Sequence, residues 1–159
     1  MQALMQITFR QFYPGDGKVF RALNEQWIAK YFVLEEKDRL TLNDPEKYIL
    51  KSGGHIYFAM LDDKIVGCCA LIATGQDSYE VAKMAVDESH RNLGIGKTML
   101  AHVIESARTL GARKLTLETN SRLMNAIHVY ESLGFKHIDP SLVEPSPYQR
   151  ANVFMEQFL

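Results

Sequence analysis

Apolar and polar positions alternate over residues 6–12, the period-two pattern of a half-buried strand, and Pro14-Gly15-Asp16-Gly17 supplies the turn that ends it. From Lys18 to Tyr31 the period lengthens to that of a helix, with Val19, Leu23, Trp27 and Tyr31 recurring at helical spacing. Asp44-Pro45 opens a short helix, because aspartate suits the N-cap and proline the first helical position. That helix holds Tyr48, Ile49 and Leu50 and ends at Gly53-Gly54. Strands follow from His55: Ile56 to Leu61, an acidic turn at Asp62-Asp63, Lys64 to Thr74, a turn from Gly75 to Ser78, and Tyr79 to Val86, together an antiparallel meander. After Gly96 the helical period returns, with Leu100, Val103, Ile104, Ala107 and Leu110 on one face and Gly111 as the stop. Leu115, Leu117 and Thr119 then alternate with Lys114, Thr116 and Glu118 as a strand, and a helix from Asn125 to Leu133 stops at Gly134. Strands at Lys136 to Ile138 and Asn152 to Phe158, joined by the loop Pro140 to Arg150, complete an α/β pattern with two helical crossings over one sheet.

Composition narrows the class further. Of the 159 residues 47% are apolar, enough for one sizeable core, and no Pro-, Gly- or Ser-rich linker and no repeat divides them, so residues 1–159 are expected to form a single domain. Lys and Arg total 18 against 19 Asp and Glu, so no overall field favours nucleic acid or an anionic membrane as partner. The stretch Met1 to Arg10 lacks the basic region and apolar core of a signal peptide, and no apolar run reaches the roughly 20 residues of a membrane span, which points to the cytoplasm. Cys68 and Cys69 are adjacent in a predicted strand, where their side chains would point to opposite faces. They read as free cysteines of a reducing compartment, one of them buried. His55, His90, His102, His128 and His137 lack ligand spacing, and no metal is expected.

Candidate chemistry concentrates between Tyr79 and Leu110, where a strand leads into Arg91-Asn92-Leu93-Gly94-Ile95-Gly96-Lys97 and a long amphipathic helix. Gly94 and Gly96 remove side chains where backbone must approach a ligand, and the first helical turn offers unpaired N–H groups at its positive dipole end. The result is a cradle for a phosphate or pyrophosphate. Two nucleotide motifs fail on spacing. A P-loop ending in Gly96-Lys97-Thr98 needs a glycine where Arg91 stands, and a dinucleotide fingerprint needs Gly or Ala where Met99 stands. What remains is Arg-x-x-Gly-x-Gly at the start of a helix.

Downstream, a strand ending at Asn120-Ser121 precedes Asn125-Ala-Ile-His-Val-Tyr-Glu-Ser-Leu-Gly-Phe135. The strand bearing Glu80, the Arg91-x-x-Gly94-x-Gly96 loop and this last segment together resemble the GNAT superfamily of acyl-coenzyme A-dependent N-acetyltransferases, in order and spacing from about residue 55 to 159. The resemblance implies a central mixed, mostly antiparallel sheet flanked by helices on both faces. It also implies acetyl-CoA as cofactor, direct transfer to a primary amine in a ternary complex, and a homodimer. In that family the strand before the loop splays from its neighbour, so Met84, Ala85 and Val86 would pair by backbone with the pantetheine arm and the N–H of Ala85 or Met84 would face the thioester oxygen. The amides of Asn92, Leu93, Gly94, Ile95, Gly96 and Lys97 would hold the pyrophosphate, with Arg91 and Lys97 adding charge. Asn125 matches a cofactor-contacting amide, although N-capping of the next helix would explain it as well. Tyr130 matches the tyrosine that protonates the leaving thiolate, and a phenol of pKa about 10 would arrive neutral at pH 7; packing between helix and sheet is its alternative role. Glu80 matches a glutamate acting directly or through water as general base, or is a solvated residue at a strand start.

The acceptor is marked less clearly. Lys83 and Glu118 break apolar runs on adjacent strands, and an ion pair between them is expected to line the acceptor cleft. Family members choose acceptors with their first helices and last loop, here Glu25, Trp27, Tyr31, Glu35, Asp38 and Ser146 to Arg150. The acidic members suit a cationic amine, whereas Tyr148 and Arg150 suit an acceptor bearing a carboxylate, so the expectation stops at a small-molecule primary amine. A catalytically silent coenzyme A-binding regulatory module is the competing class; it would need neither Tyr130 nor Glu80.

Overall fold

The computed structural model describes residues 6–159; Met1 to Met5, half of the N-terminal stretch read above, lie outside the described residues. The strands are β1 (Ile7–Gln11), β2 (His55–Leu61), β3 (Lys64–Gly75), β4 (Ser78–Val86), β5 (Lys114–Thr119), β6 (Lys136–Ile138) and β7 (Val153–Phe158). The helices are α1 (Gly17–Tyr31), α2 (Glu36–Asn43), α3 (Ile95–Thr109) and α4 (Met124–Ser132). One sheet runs in the order β1-β2-β3-β4-β5-β7-β6, antiparallel at every join except β4–β5. A parallel pair needs a crossover, and α3 supplies it.

Each face of the sheet carries its own apolar layer. Met99, Leu100, Val103, Ile104 and Ala107 of α3 pack with Tyr57, Ala59, Cys69, Leu71, Val81, Leu115 and Leu117. On the other face Phe20, Leu23 and Ile28 of α1, with Leu42 and Ile49, pack on Ile56, Phe58, Cys68 and Ala70. Burying each of the larger aliphatic side chains contributes about 1.5–3 kcal/mol, so both layers add substantially to the stability of the sheet and its helices.

Several expectations change. The buried face of α1 is Phe20, Leu23, Asn24 and Ile28, while Tyr31 is exposed. Four residues advance a helix by about 400°, so the row Val19, Leu23, Trp27 and Tyr31 drifts around α1: Leu23 is in the core, Val19 and Trp27 pack at its edge, and Tyr31 has left it. Helix α2 was not expected, because among its eight residues only Asp38, Thr41 and Leu42 are buried and no apolar period marks it. It is fixed instead by a capping box, in which the Glu35 N–H donates to Asp38 at 2.9 Å and the Glu35 side chain accepts from the Asp38 N–H. The segment after Asp44 forms a π-helical turn, Glu46–Leu50. Leu110 lies past the end of α3 and is exposed. Both cysteines, not one, are fully buried, and burial raises the Cys68 thiol to about 12.

The most consequential departure is a bulge in β4. Ala82 pairs with Ala70 and Ala85 with Cys68, so two residues of β4, Lys83 and Met84, oppose one of β3. Lys83 accommodates the extra residue with φ +53°, and the Cys68 thiol donates to its carbonyl at 3.4 Å. The bulge reverses side-chain parity. Tyr79 and Val81 face the α3 layer before it; Met84 and Val86 do so after it, and Ala85 turns to the α1 side.

Candidate active site

Strands β4 and β5 are hydrogen-bonded only over Ser78–Glu80 against Lys114–Thr116. Beyond that point β4 stays with β3 and β5 with β7, so the two strands diverge on the C-terminal side of Glu80. A cavity of about 740 Å³ opens in the gap, lined by β4 from Glu80 to Val86. The β5-facing backbone groups of this stretch are free to pair with an extended ligand as an added strand would.

At one end of the cavity β4 passes through a 3₁₀ turn (Glu88–His90) into the loop that begins α3. Asn92 (φ +64°) and Gly94 (φ +78°) are left-handed, the kind of backbone from which an anion-binding nest of amides is built. A Cβ on Gly94 would meet nothing within 4 Å, so backbone conformation alone demands glycine there. Gly96 is different. Its φ is ordinary and a Cβ would lie 3.7 Å from Val86 Cγ2, an unstrained contact, so the protein's own packing does not exclude a side chain. Arg91, Lys97 and His90 of this loop region, and Asn125 of α4, line the cavity. Helix α4 starts at Met124 without a side-chain cap, so Asn125 is not the N-cap that would have explained it structurally.

Glu80, at the point where β4 and β5 part, and Tyr130 of α4 both line the cavity. Burial, then the nearby Glu118 carboxylate, raises the Glu80 carboxyl to about 7. Burial also holds the Tyr130 phenol above its ordinary value, and its ring packs edge-on against Phe135 at 6.1 Å. The pair thus offers a carboxylate able to accept a proton near neutral pH and a phenol that stays protonated there.

The far end is ionic. The Lys83–Glu118 ion pair expected from the sequence does not form: the Lys83 Nζ donates to Asp38 Oδ1 at 2.8 Å and to the Tyr148 hydroxyl at 3.0 Å. The bulge turns Lys83 to the α1–α2 side of the sheet, where Asp38 and Tyr148 rather than Glu118 take its ammonium. Glu118 instead accepts from Ser146 Oγ at 2.6 Å. Arg150 grips Asp38 with both terminal nitrogens, at 2.6 and 2.7 Å, and reaches Glu35 at 3.3 Å. Asp38 is fully buried; burial opposes its charge, but the hydrogen bonds from Arg150 and the charge of Lys83 outweigh it and hold the carboxyl at about 2. Burial in turn lowers the Lys83 ammonium despite Asp38.

A model of the acetyltransferase (GNAT) family matches residues 4–135, most of the chain. The chain belongs to that family. Among its acetyltransferase relatives, the uncharacterized N-acetyltransferase YjgM of Escherichia coli is 31% identical over 137 residues, covering 81% of this chain and 79% of that one. N-acetylaspartate synthetase of Xenopus tropicalis is 34% identical over 102 residues, 63% of this chain but only 38% of the frog protein, so the chain spans well under two-thirds of that relative. The fold is shared with the PaiA N-acetyltransferase of Thermoplasma acidophilum, solved in complex with coenzyme A: TM-score 0.75, 18% identity, covering 98% of this chain and 100% of the other. Among the described residues no helix is long and apolar enough to cross a membrane.

In this GNAT family member the cavity gathers Met84, Ala85, Val86, Arg91, Asn92, Gly94, Ile95, Gly96, Lys97, Asn125, Glu80, Tyr130, Trp27, Tyr31, Lys83, Glu118, Tyr148 and Arg150. Leu93 is not among its lining residues and is exposed. Glu25 pairs with Arg21 on the outer side of α1, and Glu35 and Asp38 sit behind Arg150 rather than on the wall. Lys37 and Arg122 line the cavity without having been singled out from the sequence. Lys37 lies on the unforeseen α2; Arg122 follows Asn120-Ser121 at the C-terminal end of β5, a strand end where ligands commonly bind.

Proposed function

We propose that residues 1–159 work as one acetyltransferase domain that moves the acetyl group of acetyl-CoA directly to a primary amine of a small molecule in a ternary complex. The carrying observation is the Glu80 carboxyl, raised to about 7, lining the same cavity as Tyr130 and the open edge of β4. Acetyl-CoA supplies an acetyl group already activated as a thioester. The amides of residues 92–97, with Arg91 and Lys97, fit its pyrophosphate, and the open backbone of Met84 to Val86 fits its extended arm. An N–H of Met84 or Ala85 stabilises the negative charge that develops on the carbonyl oxygen. Glu80 takes the proton from the attacking nitrogen, and Tyr130 gives its phenolic proton to the departing sulfur as the carbon–sulfur bond breaks.

Direct transfer is supported by the cysteines. Neither lines the cavity, both are fully buried, and burial keeps Cys68 at about 12, so neither is placed to carry the acetyl group. Two free thiols also suit the cytoplasm. Steady-state thiol release from acetyl-CoA with a panel of primary amines tests the reading. Turnover should rise with pH through about 7 as Glu80 deprotonates, and Glu80→Gln should lose about 10²-fold and that rise together. Acetyl-CoA binding with no turnover of any amine would contradict catalysis and leave a binding module.

A further inference from the structure

We propose that the acceptor carries a carboxylate as well as its amine, an amino acid in chemical class, and that Arg150, Lys83 and Arg122 bind that carboxylate. The inference rests on the acetyltransferase reading above.

Asp38 and Glu35, the acidic residues paired with Arg150, are already engaged by the protein's own donors. Asp38 Oδ1 accepts from Lys83 and Arg150, and Oδ2 accepts from Arg150 and the Glu35 N–H, which fills the four lone-pair sites of a carboxylate. Glu35 accepts from the Gln149 N–H at 2.9 Å and from Arg150 at 3.3 Å. Both carboxylates lie behind the cations and outside the cavity lining.

The cations still have donors to offer. Lys83 uses two of its three N–H groups, on Asp38 and Tyr148; Arg150 uses three of five, on Asp38 twice and Glu35 once. Both line the cavity. Arg150 is held further by its guanidinium lying 4.5 Å from the Tyr148 ring centroid, so Asp38, Glu35 and Tyr148 fix its plane before any ligand arrives. Arg122 reaches across from the β5–α4 connection to lie 5.7 Å over the Phe32 ring at the end of α1, and Lys37 lies 5.6 Å over Tyr148. These two charges sit on aromatic faces.

The resulting wall has a sense of direction. Its acceptor end presents Lys37, Lys83, Arg122 and Arg150 against two carboxylates, Glu80 and Glu118, and Glu118 is engaged by Ser146. Glu80 is left to meet the amine while the basic groups meet an anion. Because Lys83 is the residue next to Met84, whose backbone N–H is one of the two candidates to face the reacting carbonyl, the amine and carboxylate of the acceptor are close together in its covalent structure. A polyamine would place its second ammonium among those four cations.

Matched acceptors test this at saturating acetyl-CoA: amino acids, their amides, the corresponding decarboxylated amines, and spermidine. We expect at least one amino acid to exceed its own amide and decarboxylated amine by about 10²-fold in kcat/KM, since losing the carboxylate leaves preorganised donors unpaired. Arg150→Gln should abolish that preference, but it disrupts a buried ion cluster and its fold must be checked. Arg122→Gln, at an exposed position, should raise KM for the preferred amino acid about tenfold without changing acetyl-CoA affinity. Amides or spermidine turned over as well as amino acids would overturn the carboxylate inference and leave the acetyltransferase intact. An Arg122→Gln enzyme with unchanged KM would remove Arg122 from the site. No turnover of any amine with acetyl-CoA bound would remove the acetyltransferase reading and this inference with it.

Discussion

At the Arg91 to Lys97 end of the cavity the groups poised for an anion are backbone amides of one contiguous loop, whereas at the Lys83 and Arg150 end they are side chains gathered from α2, β4 and the segment before β7. The first needs two left-handed residues and the start of a helix, and its geometry is local. The second needs a bulge, a capping box and a loop to converge on one buried carboxylate, Asp38. A site made of backbone tolerates side-chain change outside its glycines. A site made of interlocked charges is coupled to the stability of the fold.

That contrast predicts where substitutions register. Asp38→Asn should cost the most, about 3–5 kcal/mol in denaturant unfolding, because it strands Lys83 and Arg150 without their counter-charge. Lys97→Gln at the loop should stay within about 0.5 kcal/mol. The Asp38 carboxyl is held at about 2 in the folded state, below its unfolded value, so the stability it contributes is full above the unfolded pKa and is lost as pH falls through about 2. A stability profile flat down to pH 2 would contradict that role. Next in size, Tyr130→Phe should lower kcat by about 10²-fold with acetyl-CoA affinity unchanged; single-turnover rates and calorimetry separate the two. Unchanged kcat would assign Tyr130 to packing against Phe135.

The smallest expected effect has the opposite sign. Glu80 has a folded value raised to about 7, so the folded state binds its proton more tightly than the unfolded chain does and stability falls as pH rises between roughly 4.5 and 7. Glu80→Gln should therefore be more stable than the parent by about 1–2 kcal/mol at pH 8, and equal to it at pH 4. A variant less stable at pH 8 would show that Glu80 makes a favourable ionic contact in the fold.

The legible half of this protein is the local half. The strand–loop–helix from Glu80 to Lys97 and the segment Asn125 to Phe135 each carry their information within one short contiguous stretch, and the structure brings nearly all of their candidates to one cavity. The acceptor half was opaque for identifiable reasons. Lys83 and Glu118 read as partners because they are charges on neighbouring strands, but the true partners, Asp38, Tyr148 and Ser146, come from α2 and the loop before β7, distant in sequence. The opposed charges of Asp38 and Arg150 looked like a conflict over the substrate's sign, yet they satisfy each other across 112 residues of sequence. No period marks α2, whose start rests on Glu35 and Asp38 and which buries few apolar side chains.

The central claim, that the splayed strand and the left-handed loop form a coenzyme A site, is tested most directly by calorimetric titration of acetyl-CoA into the parent protein and Gly96→Leu. A Cβ at Gly96 meets only an ordinary contact and the residue lines the cavity, so the variant should fold, bind at least tenfold more weakly, and keep its unfolding transition. The parent should bind one equivalent. No binding by the parent, or equal affinity in the folded variant, would contradict the claim.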